Sequence, residues 1–221
     1  MNRGVFVTGT DTGVGKTLVA CAILRALRAR GIDVAGMKAI ETGVGDEGPP
    51  DARALALAAD AGEPIERICP QLFALPAAPN VAARHEGRGV ELAEVHRAFA
   101  ELAARHDFVL VEGAGGLLVP TSDEANMADL AAALGLPIVV VVRAALGTIN
   151  HTLLTLAEAE RRGLALAGVV VSHSSGAQSE ADAANFAYLR GVLGDRLIGE
   201  IPPLPSGESP AADCIDVGLL A

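Results

Sequence analysis

Short apolar runs recur along this chain, and between most of them apolar positions fall at helical spacing. VFVT (5–8), DVAGM (33–37), FVLVE (108–112), PIVVVV (137–142) and LAGVVVS (166–172) lack the polar alternation of a half-exposed strand. They predict strands covered on both faces, with RLIGEI (196–201) as a sixth. Residues 16–30 place Leu18, Val19, Ile23, Leu24 and Leu27 on one stripe, and Gly31 stands where a helix would end. Further helices are predicted at about 51–61, 91–105, 126–134, 150–162 and 179–194. Strands alternating with helices in this way predict an α/β fold, a predominantly parallel β-sheet flanked by helices on both faces.

Two regions break the rhythm: residues 41–50, rich in glycine and acid, and residues 62–90, punctuated by Pro64, Pro70, Pro76 and Pro79. Excursions of this kind commonly carry ligand-contacting loops. No repeat or linker divides the chain, and 221 residues with 51% hydrophobic content can bury one core, so residues 1–221 are expected to form a single domain.

Charge and cysteine usage narrow the function. A formal net charge of -10 disfavours nucleic acid and anionic membrane surfaces as partners. No apolar stretch is long enough to span a bilayer, and MNRGVFVTGT lacks the parts of a signal peptide, so a cytoplasmic location is expected. Cys21, Cys69 and Cys214 form no CxxC and read as reduced structural thiols, and the five histidines show no metal-ligand spacing. Only Lys16 and Lys38 are lysines, against fifteen arginines. Arginine can replace lysine on a solvated surface but not as a compact point charge in a tight pocket, which makes both lysines candidate site residues.

The strongest motif is GTDTGVGKT (9–17), which follows the first strand and opens the first helix as a phosphate-binding loop does. Gly13, Val14 and Gly15 would turn backbone N–H groups toward phosphate oxygens. Lys16 would reach the β and γ phosphates, Thr17 would offer its hydroxyl to Mg²⁺, and Leu18 continues the helix that this anion site caps. The fold expected is therefore P-loop NTPase-like. One feature departs from G-x-x-x-x-G-K-T: its first glycine falls on Thr10, and Gly9 stands one place earlier.

FVLVEG (108–113) supplies a second element, because an apolar strand ending in Glu112 would point that carboxylate from the carboxyl edge of the sheet toward the nucleotide metal. GMKAIETG (36–43) puts Lys38 at the end of the second strand, on the same edge.

These segments in order, with DARAL (51–55), FALPAAPNVAARHEG (73–87), VLVEGAGGLLVP (109–120), LGTINHTLLT (146–155), AGVVVS (167–172) and GEIP (199–202), resemble the ATP-dependent dethiobiotin synthetases over nearly the whole chain. That resemblance implies a cyclo-ligase acting on 7,8-diaminononanoate, CO₂ and ATP. It implies that Thr17, Asp51 and Glu112 surround Mg²⁺, and that Thr12, Lys16, Lys38 and Thr42 surround the reacting carbamate. Glu112, Gly113, Ala114 and Gly115, with Ser172, Pro202, Pro203 and Leu204, would line the nucleotide pocket. Leu146, Gly147 and Asn150 would meet the substrate carboxylate across a homodimer.

Three segments depart from the family pattern. Lys-Pro-Val is Lys38-Ala39-Ile40, Ser-Pro-His is Ala78-Pro79-Asn80, and the asparagine expected to pair with adenine is Ser172. A single hydroxyl cannot make that two-atom contact, which predicts relaxed base selectivity. A nucleotide-switch ATPase of the division or partition type shares the expected sheet and loop, but would carry a lysine at the position of Asp11 and often a membrane helix or basic surface. An ATP-dependent amidating enzyme would need a further glutamine-hydrolysing domain.

Overall fold

A computed structural model describes residues 4–173, 179–205, 208–211 and 213–220. Six strands form one parallel sheet: β1 (Gly4–Gly9), β2 (Val34–Lys38), β5 (Phe108–Gly116), β6 (Ile138–Arg143), β7 (Leu166–Ser172) and β8 (Leu197–Ile201). Their spatial order is β2-β5-β1-β6-β7-β8, and every adjacent pair is parallel. Strands β1 and β2 are buried end to end, and β6 is buried except at Arg143, because both faces are covered, which is why their sequences do not alternate.

Helices α1 (Lys16–Ala29) and α2 (Pro50–Ala59) cover one face, packing Val19, Ile23, Leu24, Leu27 and Leu55 against Val5, Val7, Leu110 and Val139. Helices α5 (Leu92–Ala103), α6 (Met127–Leu134), α7 (Thr148–Arg161) and α8 (Glu180–Leu193) cover the other, around Phe6, Val111, Val140 and Val171. Helix ends follow local chemistry. Asn126 and Asp129 form a reciprocal capping box at the start of α6, and Gly135 takes the left-handed conformation that ends it.

The predicted strands and long helices are all present, with ends displaced by one or two residues except in β5. That strand continues through Gly113, Ala114, Gly115 and Gly116, beyond the predicted end at Glu112, because its far end pairs with β1 at Gly9 and Gly116. The two irregular regions are organised against each other. Strand β3 (Glu41–Thr42) pairs in parallel with β4 (Leu72–Phe73) in a separate two-stranded sheet, flanked by short helices α3 (Ile65–Ile68) and α4 (Pro79–His85). Proline at the first position of α4 gives up an N–H that no helical carbonyl would use.

Burial raises the Cys69 thiol to about 12 and the Cys21 thiol to about 11, so both stay protonated and inert, as expected for structural cysteines. Among the described residues, no helix is long and apolar enough to cross a membrane.

Candidate active site

The site begins where β1 runs out. Between Gly9 and the start of α1 the chain folds back tightly, and a Cβ on residue 9 would lie 2.7 Å from Val14 Cγ2 and 2.9 Å from the Asp11 carbonyl. Glycine is therefore required at position 9 by contact with the loop itself, which accounts for the displaced motif glycine. Thr10 is not in the positive-φ region that calls for glycine, and its N–H donates to the Val141 carbonyl at 3.0 Å, holding the backbone to the sheet edge. Gly15, at φ 95°, turns the chain into α1 through a conformation costly to other residues.

Four side chains from four elements then converge. In the β2–β5 register Lys38 lies opposite Glu112, and the Lys38 ammonium donates to Glu112 Oε1 at 2.6 Å. The same nitrogen donates to Asp51 Oδ2, from the first turn of α2, also at 2.6 Å. Thr17, in the first turn of α1, donates its hydroxyl to Glu112 Oε1 at 2.9 Å. Lys16 Nζ donates to the Asp11 carbonyl at 3.2 Å. Glu112 is fully buried and Lys38 is 4% exposed.

Burial alone would lower the Lys38 pKa, but the fields of Glu112 and Asp51 outweigh it and hold the group above the ordinary lysine range. For Lys16 burial dominates, reinforced by repulsion from Lys38, and its pKa falls. One ammonium is thus firmly charged and the other less so. Burial pushes the Asp51 carboxyl up, yet Lys38 and the Thr17 hydroxyl leave it below its usual range.

These groups line one cavity of about 660 Å³, together with Thr12, Gly13, Gly15, Thr42, Ala114 and Gly115. Eleven of the residues predicted from the sequence thus share one space, the two lysines included. Val14 and Leu18 face the core beside α1, and Gly113 is pressed against the Phe6 ring, where a Cβ would lie 2.8 Å from the ring edge. At Val14 and Gly113 only the backbone can serve a ligand. Ile40, Glu41, Val119 and the segment Pro76, Ala77, Ala78 and Pro79 complete the cavity wall. Sequence reasoning passed over Glu41, whose one signal was an acid beside the lysine strand in a region read as irregular.

The remaining predicted residues lie outside this cavity. Ser172 ends β7 fully buried, and its hydroxyl finds no hydrogen-bond partner among the described residues. Beside it His173 contacts Glu200 Oε1 at 2.6 Å, and Arg190 Nε holds Glu200 Oε2 at 3.0 Å. Pro202, Pro203 and Leu204 follow β8, on the same rim as Ser172. Leu146, 78% exposed, and Gly147 precede α7, and Asn150 sits exposed in its first turn.

The arrangement suits a phosphorylated, anionic ligand and a hard cation. Two ammonium groups and the backbone amides of a glycine-rich turn supply positive charge, while Thr17, Asp51 and Glu112 supply oxygen donors. Glu112 Oε2 is buried with no hydrogen-bond partner among the described residues, an acceptor left for such a cation.

A phosphate loop leading into α1 on the carboxyl edge of this parallel sheet defines a P-loop NTPase-like protein. Solved structures share that fold. A chain of the MinC:MinD cell division protein complex from Aquifex aeolicus matches with a TM-score of 0.55 at 16% identity, covering 92% of this chain and 82% of that one. A ParA family ATPase from Chlorobium tepidum TLS also gives 0.55, at 13% identity, covering 92% and 86%. A family model described as an AAA domain matches residues 3–211. The ATP-dependent dethiobiotin synthetase BioD of Anaeromyxobacter sp. (strain K) is 59% identical over 172 residues, 78% of this chain and 77% of its own length. That of Aromatoleum aromaticum is 40% identical over 213 residues, 95% and 94% of the two chains. The chain belongs to the ATP-dependent dethiobiotin synthetase family.

Proposed function

We propose that this enzyme carboxylates and cyclises 7,8-diaminononanoate with CO₂, consuming ATP and releasing dethiobiotin, ADP and phosphate. The observation that carries the reading is the shared cavity, which gathers Lys16, Thr17, Lys38, Asp51 and Glu112 from four elements. One amine of the substrate adds to CO₂ and loses a proton, giving a carbamate. A carbamate oxygen then attacks the γ-phosphorus while the bond to ADP breaks, forming a carbamic-phosphoric anhydride. The second amine attacks the carbonyl carbon, phosphate leaves, and another proton is released as the ring closes.

Each species before ring closure is anionic, so the work of the protein is positioning and charge stabilisation. Thr12, Lys16, Lys38 and Thr42 hold the carbamate in line with the transferring phosphoryl group. Thr17, Asp51 and Glu112 would hold Mg²⁺, which when bound neutralises charge on the phosphate oxygens. Residues 13–18 and 112–115 receive the phosphates, and Ser172, Pro202, Pro203 and Leu204 receive the base. The exposed loop at Leu146 and Gly147, with Asn150 in the first turn of α7, is offered to the substrate carboxylate of a second copy, where the positive end of the helix favours an anion. The active species is then a cytoplasmic homodimer.

Phosphate release tests the reading against the switch-ATPase alternative. With enzyme, Mg²⁺ and ATP, release should require both bicarbonate and the diamine. Release indifferent to the two small substrates refutes it. The lysine that the switch class would carry is Asp11 here, exposed and hydrogen-bonded through Oδ1 to the Thr12 N–H at 2.7 Å.

A further inference from the structure

Asp51 stands second in helix α2, in a first turn whose N–H groups have no helical carbonyl partner and attract a nearby carboxylate. Here its side chain points instead to Lys38. The reason lies outside the helix. Residue 49, in the capping position, is a proline with no side-chain oxygen, and Glu41 from β3 takes its place across ten residues of chain. Glu41 Oε1 accepts from the Asp51 N–H at 2.8 Å, and Oε2 accepts from the Ala52 N–H at 3.0 Å. The Glu41 side chain is 3% exposed and lines the cavity wall beside Thr42.

We propose that Glu41 is a positioning residue for the metal site, a remote carboxylate cap that satisfies the α2 amides and so frees the Asp51 carboxylate to face Lys38 and the cation. It rests on the reading of Asp51 as a metal ligand. The physical basis is geometric. With both carboxylate oxygens engaged, Glu41 fixes the direction of the first turn of α2 relative to β2, and the carboxylate of Asp51 has no local amide left to compete for it. A glutamine at 41 keeps the size but has one acceptor oxygen for two donors, so one amide loses its partner.

The test is calorimetric titration with Mn·ADP, Mn²⁺ standing in for Mg²⁺, on four proteins: wild type, Glu41→Gln, Asp51→Asn and the double variant. Substituting a group that orients a ligand typically weakens metal binding by roughly 10–100-fold. Glu41→Gln is expected to fall in that range, and in the Asp51→Asn background it should cost less than about twofold more, because its effect passes through Asp51. Undiminished affinity in Asp51→Asn overturns the metal-ligand reading itself. With binding weakened in Asp51→Asn, either an unchanged affinity in Glu41→Gln alone or a fully additive loss in the double variant overturns the positioning role alone. Amide hydrogen exchange of the wild-type protein needs no variant: protected Asp51 and Ala52 amides are expected, and exchange of both at unprotected rates would also overturn it.

Discussion

Replacing Lys38 with methionine keeps most of the side-chain stem and deletes the charge, which isolates what the ammonium does. Its two partners are not equivalent. The Asp51 side chain is 35% exposed and can turn to water, so its loss of pairing costs about as much as a surface ion pair, roughly 1 kcal/mol or less. The Glu112 side chain is fully enclosed and cannot rehydrate. A buried pair broken from one side typically costs about 3–5 kcal/mol, since the remaining charge is left without compensation. For a domain of this size each kcal/mol corresponds to about 2–4 °C, so the combined loss of about 3–6 kcal/mol in Lys38→Met should lower the melting temperature by about 6–24 °C without ligand. The matching assay is thermal denaturation followed by circular dichroism, with turnover measured below the transition. Turnover should fall by about 10²–10³ if the ammonium also stabilises charge in phosphoryl transfer. Lys38→Arg separates the two roles. A guanidinium restores positive charge but has to spread between oxygens that each lie 2.6 Å from one nitrogen, so much of the stability returns while turnover stays low. A melting temperature within about 2 °C of wild type for Lys38→Met would refute the claim that Lys38 compensates Glu112. Near-normal turnover for Lys38→Arg would refute the need for a compact ammonium.

Initial rates at saturating diamine with CTP, GTP and UTP should lie within about tenfold of the ATP rate, because the lone hydroxyl of Ser172 cannot read two edge atoms of adenine; a strict ATP preference would count against this. His106 links Asp33 (Nδ1, 2.9 Å) to Glu63 (Nε2, 3.0 Å), with Arg67 and Arg105 also on Glu63. Burial lowers its pKa, but those two hydrogen bonds raise it overall above 6.5. Its stabilisation is therefore complete below about pH 6.5 and is lost as pH rises through the higher folded value. The melting-temperature gap between wild type and His106→Asn should be wide near about pH 5.5 and narrow near about pH 9, and a gap independent of pH would disprove the linkage. If substrate sites are shared between subunits, mixing Lys16→Met with Asn150→Asp should recover about a quarter of wild-type activity through mixed dimers, whereas independent sites would show no recovery.

What the sequence determined by itself was everything written in local pattern. Unbroken apolar runs required strands covered on both faces, helical spacing supplied the covers, and GTDTGVGKT between a strand and a helix required the phosphate loop on the carboxyl edge. Lys38 and Glu112 were legible as site residues because each closes an apolar run toward that edge; β5 runs on to Gly116, and parallel pairing sets the two residues opposite one another. Three things depended on chain closure over distance. Gly9 is needed where Thr10 is not, because Val14 and Asp11 fold back over position 9. Residues 41–50 and 62–90 read as irregular, since two-residue strands carry no periodicity, and it is the pairing of Glu41 and Thr42 with Leu72 and Phe73 that orders them against each other. The direction of Asp51 follows from a carboxylate ten residues away that occupies its helix amides, and a hydrogen bond between segments leaves no trace in the spacing of residues within either.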